Sequence, residues 1–230
     1  SRKKFIDKKL LKQITNKENF VYLPLHQEPE RSLLIAAPKF SDQVYTIKQI
    51  SKNLPKDYQL YVKEHPTQGP GRNWRELSFY KEIMKLENVK LFHPDFDSKL
   101  LLDNCKLVIS VGGTSSFEAA FFGKPSLIFA DLGYKIMPSI KKLNSYLELK
   151  QGIIDSLKIQ VNPKDVINYI TMLEENSFEF DVLNFEIKYQ NSFYMNGNLV
   201  DVEFNERVMK KFLIENKDEL EEVTTEFIKK

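Results

Sequence analysis

From Val108 to Ala119 the sequence reads Val-Ile-Ser-Val-Gly-Gly-Thr-Ser-Ser-Phe-Glu-Ala, an apolar strand-like run that passes through a glycine turn into a helical pattern. Such a turn presents backbone N–H groups and the positive end of a helix dipole. Gly113, Thr114, Ser115 and Ser116 are therefore candidates to hold a phosphate. Glu118, one turn into the helix, offers two acceptor oxygens that suit the paired hydroxyls of a ribose. Simple helix capping by Thr114 or Ser115 is the alternative use of the same residues. A second segment, Lys63-Glu64-His65-Pro66 with Arg72 in the loop beyond, gathers groups that neutralise a phosphate leaving group in glycosyl or phosphoryl transfer. Lys63, His65 and Arg72 are the candidates there, with His65 the catalytic one. His26, Gln27, Glu28, His93 and Tyr134 complete the set, because each follows a strand-like run.

Other chemistries are less well supported. Asp95 and Asp97 could hold Mg2+ against a diphosphate, but capping of the run Lys99 to Leu102 accounts for their spacing, so no metal is expected. A zinc site from His26, His65 and His93 lacks anything in their separate loops to fix tetrahedral geometry. Cys105, the sole cysteine, forms no internal disulfide and reads as a buried thiol. Trp74, Phe79 and Tyr80 read as packing residues. Neither Gly-x-x-x-x-Gly-Lys-Ser/Thr nor Gly-x-Gly-x-x-Gly occurs, which disfavours a P-loop NTPase and an ordinary NAD-dependent dehydrogenase.

These residues need a scaffold, and the apolar pattern supplies one. Strand-like runs at Phe20–Leu25, Tyr58–Lys63, Val89–Phe92, Leu107–Ser110 and Ser126–Phe129 alternate with helical patterns at Gln43–Lys52, Leu77–Leu86, Lys99–Asp103 and Ser116–Phe122. That order predicts a doubly wound α/β, Rossmann-like parallel sheet, whose ligands sit beyond the carboxyl ends of the strands. An amphipathic helix over Arg2–Thr15 leads into it. Beyond Tyr134 helices are expected at Ser139–Leu149, Pro163–Glu174, Asn205–Asn216 and Asp218–Ile228, with a hairpin at Asn196-Gly197 an even alternative to a loop. The division expected is a leading helix at 1–18, a Rossmann-like domain at 19–150 and a mainly helical extension at 151–230.

Composition bounds the rest. With 42% hydrophobic and 29% charged residues the 230-residue chain is globular, not disordered or fibrous. A net charge of +2 is too small for a general grip on nucleic acid. No apolar run reaches the roughly 20 residues of a membrane span, and the charged start is unlike a signal peptide. A cytoplasmic location is expected. The cluster Arg2, Lys3, Lys4, Lys8 and Lys9 adds peripheral contact with the inner face of a membrane as a side reading.

The ordered set Leu23-Pro24-Leu25-His26-Gln27, Val62-Lys63-Glu64-His65-Pro66, Gly113 to Ala119, Gly123-Lys124-Pro125-Ser126 and Tyr134 resembles the capsule polysaccharide biosynthesis family. That family includes bacterial Kdo transferases and is similar in fold to the nucleotide-sugar half of GT-B glycosyltransferases. The resemblance covers about Phe20 to Tyr134. It implies that Thr114, Ser115 and Ser116 meet the donor phosphate, Glu118 the ribose, and His65 the phosphate or sugar. It also implies a nucleotide-sugar donor, with CMP-linked sugars among those to test, and a glycan or glycolipid acceptor. GT-B enzymes have two Rossmann-like halves and this sequence reads as one, so an acceptor-binding domain is expected in the same or another chain. Three further readings share the pattern: a teichoic-acid-type polyol phosphotransferase, a sugar-nucleotide 2-epimerase, and a non-catalytic nucleotide-binding scaffold.

Overall fold

A computed structural model of the chain describes residues 2–14, 17–30, 32–68, 75–194 and 205–229. They form two compact units, Ser1–Ile170 and Thr171–Lys230.

The first unit is built on six parallel strands: β1 (Asn19–Pro24), β2 (Tyr58–Lys63), β3 (Val89–Phe92), β4 (Leu107–Ser110), β5 (Ser126–Ile128) and β6 (Ile140–Lys142), in the order β3-β2-β1-β4-β5-β6. The chain moves outward from β1 through β2 to β3, then returns to lay β4 on the other side of β1. That reversal is the switch point, where the flanking loops part and leave a crevice.

The central strands are buried on both faces, and the side-chain period of two sorts their residues. Val21, Leu23, Leu60, Val62, Leu107 and Ile109 enter one core with Ile6 of α1 (Arg2–Lys9), Ile47 and Ile50 of α2 (Gln43–Asn53), Tyr80 and Ile83 of α3 (Leu77–Ile83), and Ile153 of α6 (Leu149–Ser156). Phe20, Tyr22, Tyr61 and Val108 enter the other with Leu101 and Leu102 of α4 (Ser98–Asn104) and Ala119 of α5 (Ser115–Phe121). Stacked Phe20 and Tyr61, 4.0 Å between ring centroids, pair across neighbouring strands in that second layer. A third cluster, including Ile128, Met137 and Ile140, is closed by Val166 of α7 (Pro163–Glu175).

Two expectations need correction. The segment Ser139–Leu149 is not one helix. It supplies β6, a 3-10 turn at Tyr146–Glu148 and the start of α6, because Ile140 is needed at the sheet edge, where the backbone of Ser126 reaches Ser139 O at 2.9 Å. The leading helix stops at Lys9 rather than Thr15. Leu11 instead bridges to Phe92 as extended backbone, bonding Leu91 O and accepting from His93 N, both at 2.9 Å, and thereby covers the exposed edge of β3. The Asn196-Gly197 turn lies outside the described residues.

The second unit contains the end of α7 and helices α8 (Val182–Phe193), α9 (Glu206–Glu215) and α10 (Lys217–Ile228). Phe212 packs edge-on against Phe193 at 5.0 Å and Phe185 at 5.9 Å, and Lys188 pairs with Glu219. The α8 helix was not expected from the sequence.

At the end of β4 the chain leaves no room for a side chain. A Cβ on Gly112 would lie 2.7 Å from the Ala130 Cβ, and Ala130 N is itself bonded to Val111 O at 2.7 Å. Gly112→Ala is expected to cost about 1–3 kcal/mol by overpacking. Gly152→Ala should cost less, because its Cβ would meet only the Leu143 side-chain end at 2.9 Å. Urea unfolding of the variants measures both, and equal midpoints would contradict this close approach.

Candidate active site

All three histidines stand at the carboxyl edge of the sheet, after β1, β2 and β3, yet their environments differ. His26 is buried. Its Nε2 accepts the Gly112 N–H at 3.2 Å and its Nδ1 lies 3.0 Å from Glu30 Oε2. This arrangement requires the neutral ring with the proton on Nδ1, and it ties the β1 loop to the glycine turn across the switch point. Burial pushes the His26 pKa below its ordinary value. Glu30 opposes that effect and Arg75 adds to it.

His65 is half-buried. Its Nδ1 accepts the Thr67 N–H at 3.2 Å, which leaves Nε2 to carry the ring proton. The Thr67 hydroxyl, 2.9 Å from Nδ1, reaches Gln27 Oε1 at 2.6 Å and so joins the β1 and β2 loops again. Burial lowers the His65 pKa as well.

His93 serves the scaffold. Its Nε2 lies 3.0 Å from Asp7 Oδ1 of α1, and its Nδ1 accepts the Asp95 N–H at 3.1 Å. Lys63 is also internal: its ammonium donates to Pro94 O at 2.9 Å and Glu64 O at 3.3 Å, and burial lowers its pKa.

The glycine turn is braced from below. Ser110 Oγ accepts the Gly113 N–H at 3.2 Å and bonds the buried Ser116 Oγ at 2.8 Å, so Ser116 shapes the loop from the core side. The hydroxyl of Tyr134 donates to Gly113 O at 2.8 Å, and burial raises its pKa to about 12. Thr114 is the N-cap residue of α5, but its hydroxyl makes no capping bond and instead donates to Glu118 Oε1 at 2.8 Å. The N–H groups of Thr114 and Ser115 have no acceptor among the described residues. Glu118 is exposed. Beside it a cavity of about 560 Å3 opens between the β2 and β3 loops and helices α4 and α5, walled by Pro66, Phe96, Leu102, Phe121 and Phe122.

Asp97 accepts the Lys99 N–H at 2.9 Å, which is the helix cap that its position predicts. Among the described residues no three His, Cys, Asp or Glu side chains gather as a metal site. Arg72 and Trp74 lie outside the described residues. Cys105 is buried beneath α4, its thiol pKa pushed up to about 12.

The sequence did not single out Arg75 and Gln43. Gln43 bonds both the N–H of His26, at 2.8 Å, and its carbonyl, at 3.2 Å. Arg75 is buried and reaches Glu64, Glu28 and the His26 carbonyl. Neither residue belongs to a motif, and no spacing rule would have found them.

A model of the family described as capsule polysaccharide biosynthesis protein matches residues 2–137. The chain belongs to that family. The match spans every loop described above, from His26 to Tyr134. Among solved structures, the chain is similar to the β-Kdo 2,7-transferase KpsC of Thermosulfurimonas dismutans, at 13% identity and TM-score 0.48, over 68% of this chain and 46% of that one. It is likewise similar to the UDP-GlcNAc 2-epimerase of Neisseria meningitidis bound to UDP-GlcNAc, at 14% identity and TM-score 0.49, over 70% and 45%. A third is MnaA of S. aureus with UDP, at 15% identity and TM-score 0.46, over 81% and 48%. The chain thus spans less than half the length of each. No curated protein matches.

The neutral histidines carry a pH signature. Because burial lowers the folded pKa of His26 and His65, the unfolded chain binds their protons first as pH falls through about 6.5. Their contribution to stability is fully present above that pH and is lost on acidification toward the folded-state values. His26→Gln should flatten this acid limb in urea titrations run from about pH 7.5 to about pH 5. An unchanged slope would show that His26 is not the group responsible.

Proposed function

We propose that this domain binds the nucleotide-sugar donor of a glycosyltransferase acting in capsule or other cell-surface polysaccharide biosynthesis. Family membership over the stretch that carries the carboxyl-edge loops is the observation that supports it. The unpartnered N–H groups of Thr114 and Ser115 are assigned to a donor phosphate, one or both carboxylate oxygens of Glu118 to the ribose, and the adjoining apolar cavity to the base. His65, with its proton on Nε2, is assigned to donate a hydrogen bond to the phosphate as the bond to the anomeric carbon breaks. An acceptor hydroxyl forms the new bond, and its proton leaves to a base in an acceptor-binding domain of the same or another chain.

Lys63 and Ser116 act in this reading by holding the loops, since their polar atoms are engaged internally. Gln27, Glu28 and Tyr134 likewise support the loop frame, and Arg72 is kept as a phosphate contact on sequence grounds alone. A cytoplasmic site of action fits the expected donor. Among the described residues no helix is long and apolar enough to cross a membrane; the exposed lysines of α1 are assigned to peripheral contact with the inner membrane face.

Thermal-shift titration with CMP, CDP, UDP, GDP and their sugar conjugates tests the assignment, because a ligand that binds only the folded chain raises its midpoint. A base-selective shift is expected, with affinity reduced about tenfold or more in Glu118→Ala and in His65→Ala through loss of a charge-assisted or directed hydrogen bond. Unchanged affinity in both variants would sink the site. Release of CMP from CDP-glycerol, or conversion of UDP-N-acetylglucosamine, would move the activity to a phosphotransferase or an epimerase. Nucleotide binding without turnover, even with an acceptor domain supplied, would favour a scaffold.

A further inference from the structure

Arg75 is a cation inside the carboxyl edge of the sheet, with its side chain 3% exposed, and its partners come from both neighbouring loops. Nε donates to Glu64 Oε2 at 3.0 Å and lies 3.3 Å from Oε1. The terminal nitrogens reach the His26 carbonyl and the Glu28 carboxylate. Glu64, 1% exposed, takes a further hydrogen bond from the Tyr80 hydroxyl at 2.6 Å. Its Oε1 accepts the backbone N–H of His65 at 2.8 Å. A continuous path of directed bonds therefore runs from the β1 loop through one guanidinium and one carboxylate to the peptide of His65.

We propose that Arg75 and Glu64 are positioning residues that set the backbone of His65, and through it the imidazole tautomer that faces the donor. The functional half of the statement rests on the donor-binding reading above; the structural half does not. A planar fork with several donors can satisfy a carboxylate, a carbonyl and a second carboxylate at once, whereas a lysine ammonium offers a point charge without that geometry. The Thr67 N–H that fixes His65 Nδ1 comes from the same loop, so a shift of the His65 peptide misaligns Nδ1 against its donor. The charged or titratable groups around that ring are Glu30, Glu64, Lys63 and His26.

The test is NMR of the imidazole nitrogens in the full chain labelled with 15N-histidine, alongside titration with CMP and UDP. Wild type should show His65 with Nδ1 unprotonated and Nε2 protonated. Arg75→Lys keeps the charge and should leave the fold intact by circular dichroism. It should nevertheless average the two His65 tautomers and weaken nucleotide binding on the order of tenfold, the scale expected when a site group is misplaced without being removed. Tyr80→Phe, which removes only one bond to Glu64, should move both readouts the same way by less. Lys48→Ala breaks the Lys48–Glu82 pair between α2 and α3, neither member of which bonds Arg75 or Glu64, and should move neither readout. If Arg75→Lys and Tyr80→Phe lower the unfolding midpoint but leave the His65 signature as in wild type, the pair is only a support and the proposal is overturned. If the signature changes while no nucleotide binds even to wild type, positioning stands and the donor reading fails.

Discussion

A guanidinium stays charged at any ordinary pH, so burying Arg75 obliges the surrounding chain to supply acceptors in fixed places. Hydrogen-bond acceptors come from Glu64 after β2 and from the His26 carbonyl after β1, and the Glu28 carboxylate adds an opposite charge beside the guanidinium. Two loops that the sheet merely brings near one another are thereby held in one arrangement. His26, with its carbonyl on Arg75 and its N–H on Gln43, then presents its ring to Gly112. The glycine turn after β4 is reached by this route, and removing the guanidinium would leave the Glu64 carboxylate buried without its main partner.

The sheet order explains why this coupling matters at one place. β1 and β4 are neighbours in space but are separated in sequence by two strands and three crossovers, so nothing in the local chain fixes the distance between their loops. The His26 to Gly112 bond spans that gap. On the far side Tyr134 holds Gly113 O and Ser110 holds Gly113 N. The turn is thus bonded on both sides, and the residues that remain without internal partners, the N–H groups of Thr114 and Ser115, lie at a fixed position instead of on a mobile loop.

What the sequence revealed and what it hid follow from the range of the interactions involved. Parallel strands buried on both faces leave nearly continuous apolar runs, so β2, β3 and β4 are legible to the residue. β6 is short and half-exposed, and within Ser139–Leu149 its Ile140 gives a helical or an extended pattern equally well. The edge pairing of Leu11 was hidden for a related reason: its partner lies eighty residues away on β3. Site residues divide the same way. The Gly-Gly-Thr-Ser-Ser run and the Glu-His-Pro run announce themselves by local chemistry, whereas Arg75 and Gln43 owe their importance to partners brought in by the fold. Residue type alone also misleads about role, since Lys63 and His93 look like ligands of an anion and are engaged by carbonyls and by Asp7.

The same division between engaged and unengaged groups sets the chemistry the edge can perform. Lys63 and Arg75 are cations, but their charges are already met by carbonyls and carboxylates of the chain. Neither of these two charges is therefore free to bind an anion, although the exposed Lys99 lines the cavity beside Glu118. In the proposed site, recognition of a phosphate draws also on aligned neutral donors: backbone N–H groups at Thr114 and Ser115 and the Nε2–H of a neutral His65. Such donors are weaker than an ammonium in open water, but they need no reorganisation if they are already aimed, and they strengthen as the crevice is dried. Rigidity is then a condition of the proposed binding, and the buried ionic groups of this edge would serve it by holding the loops.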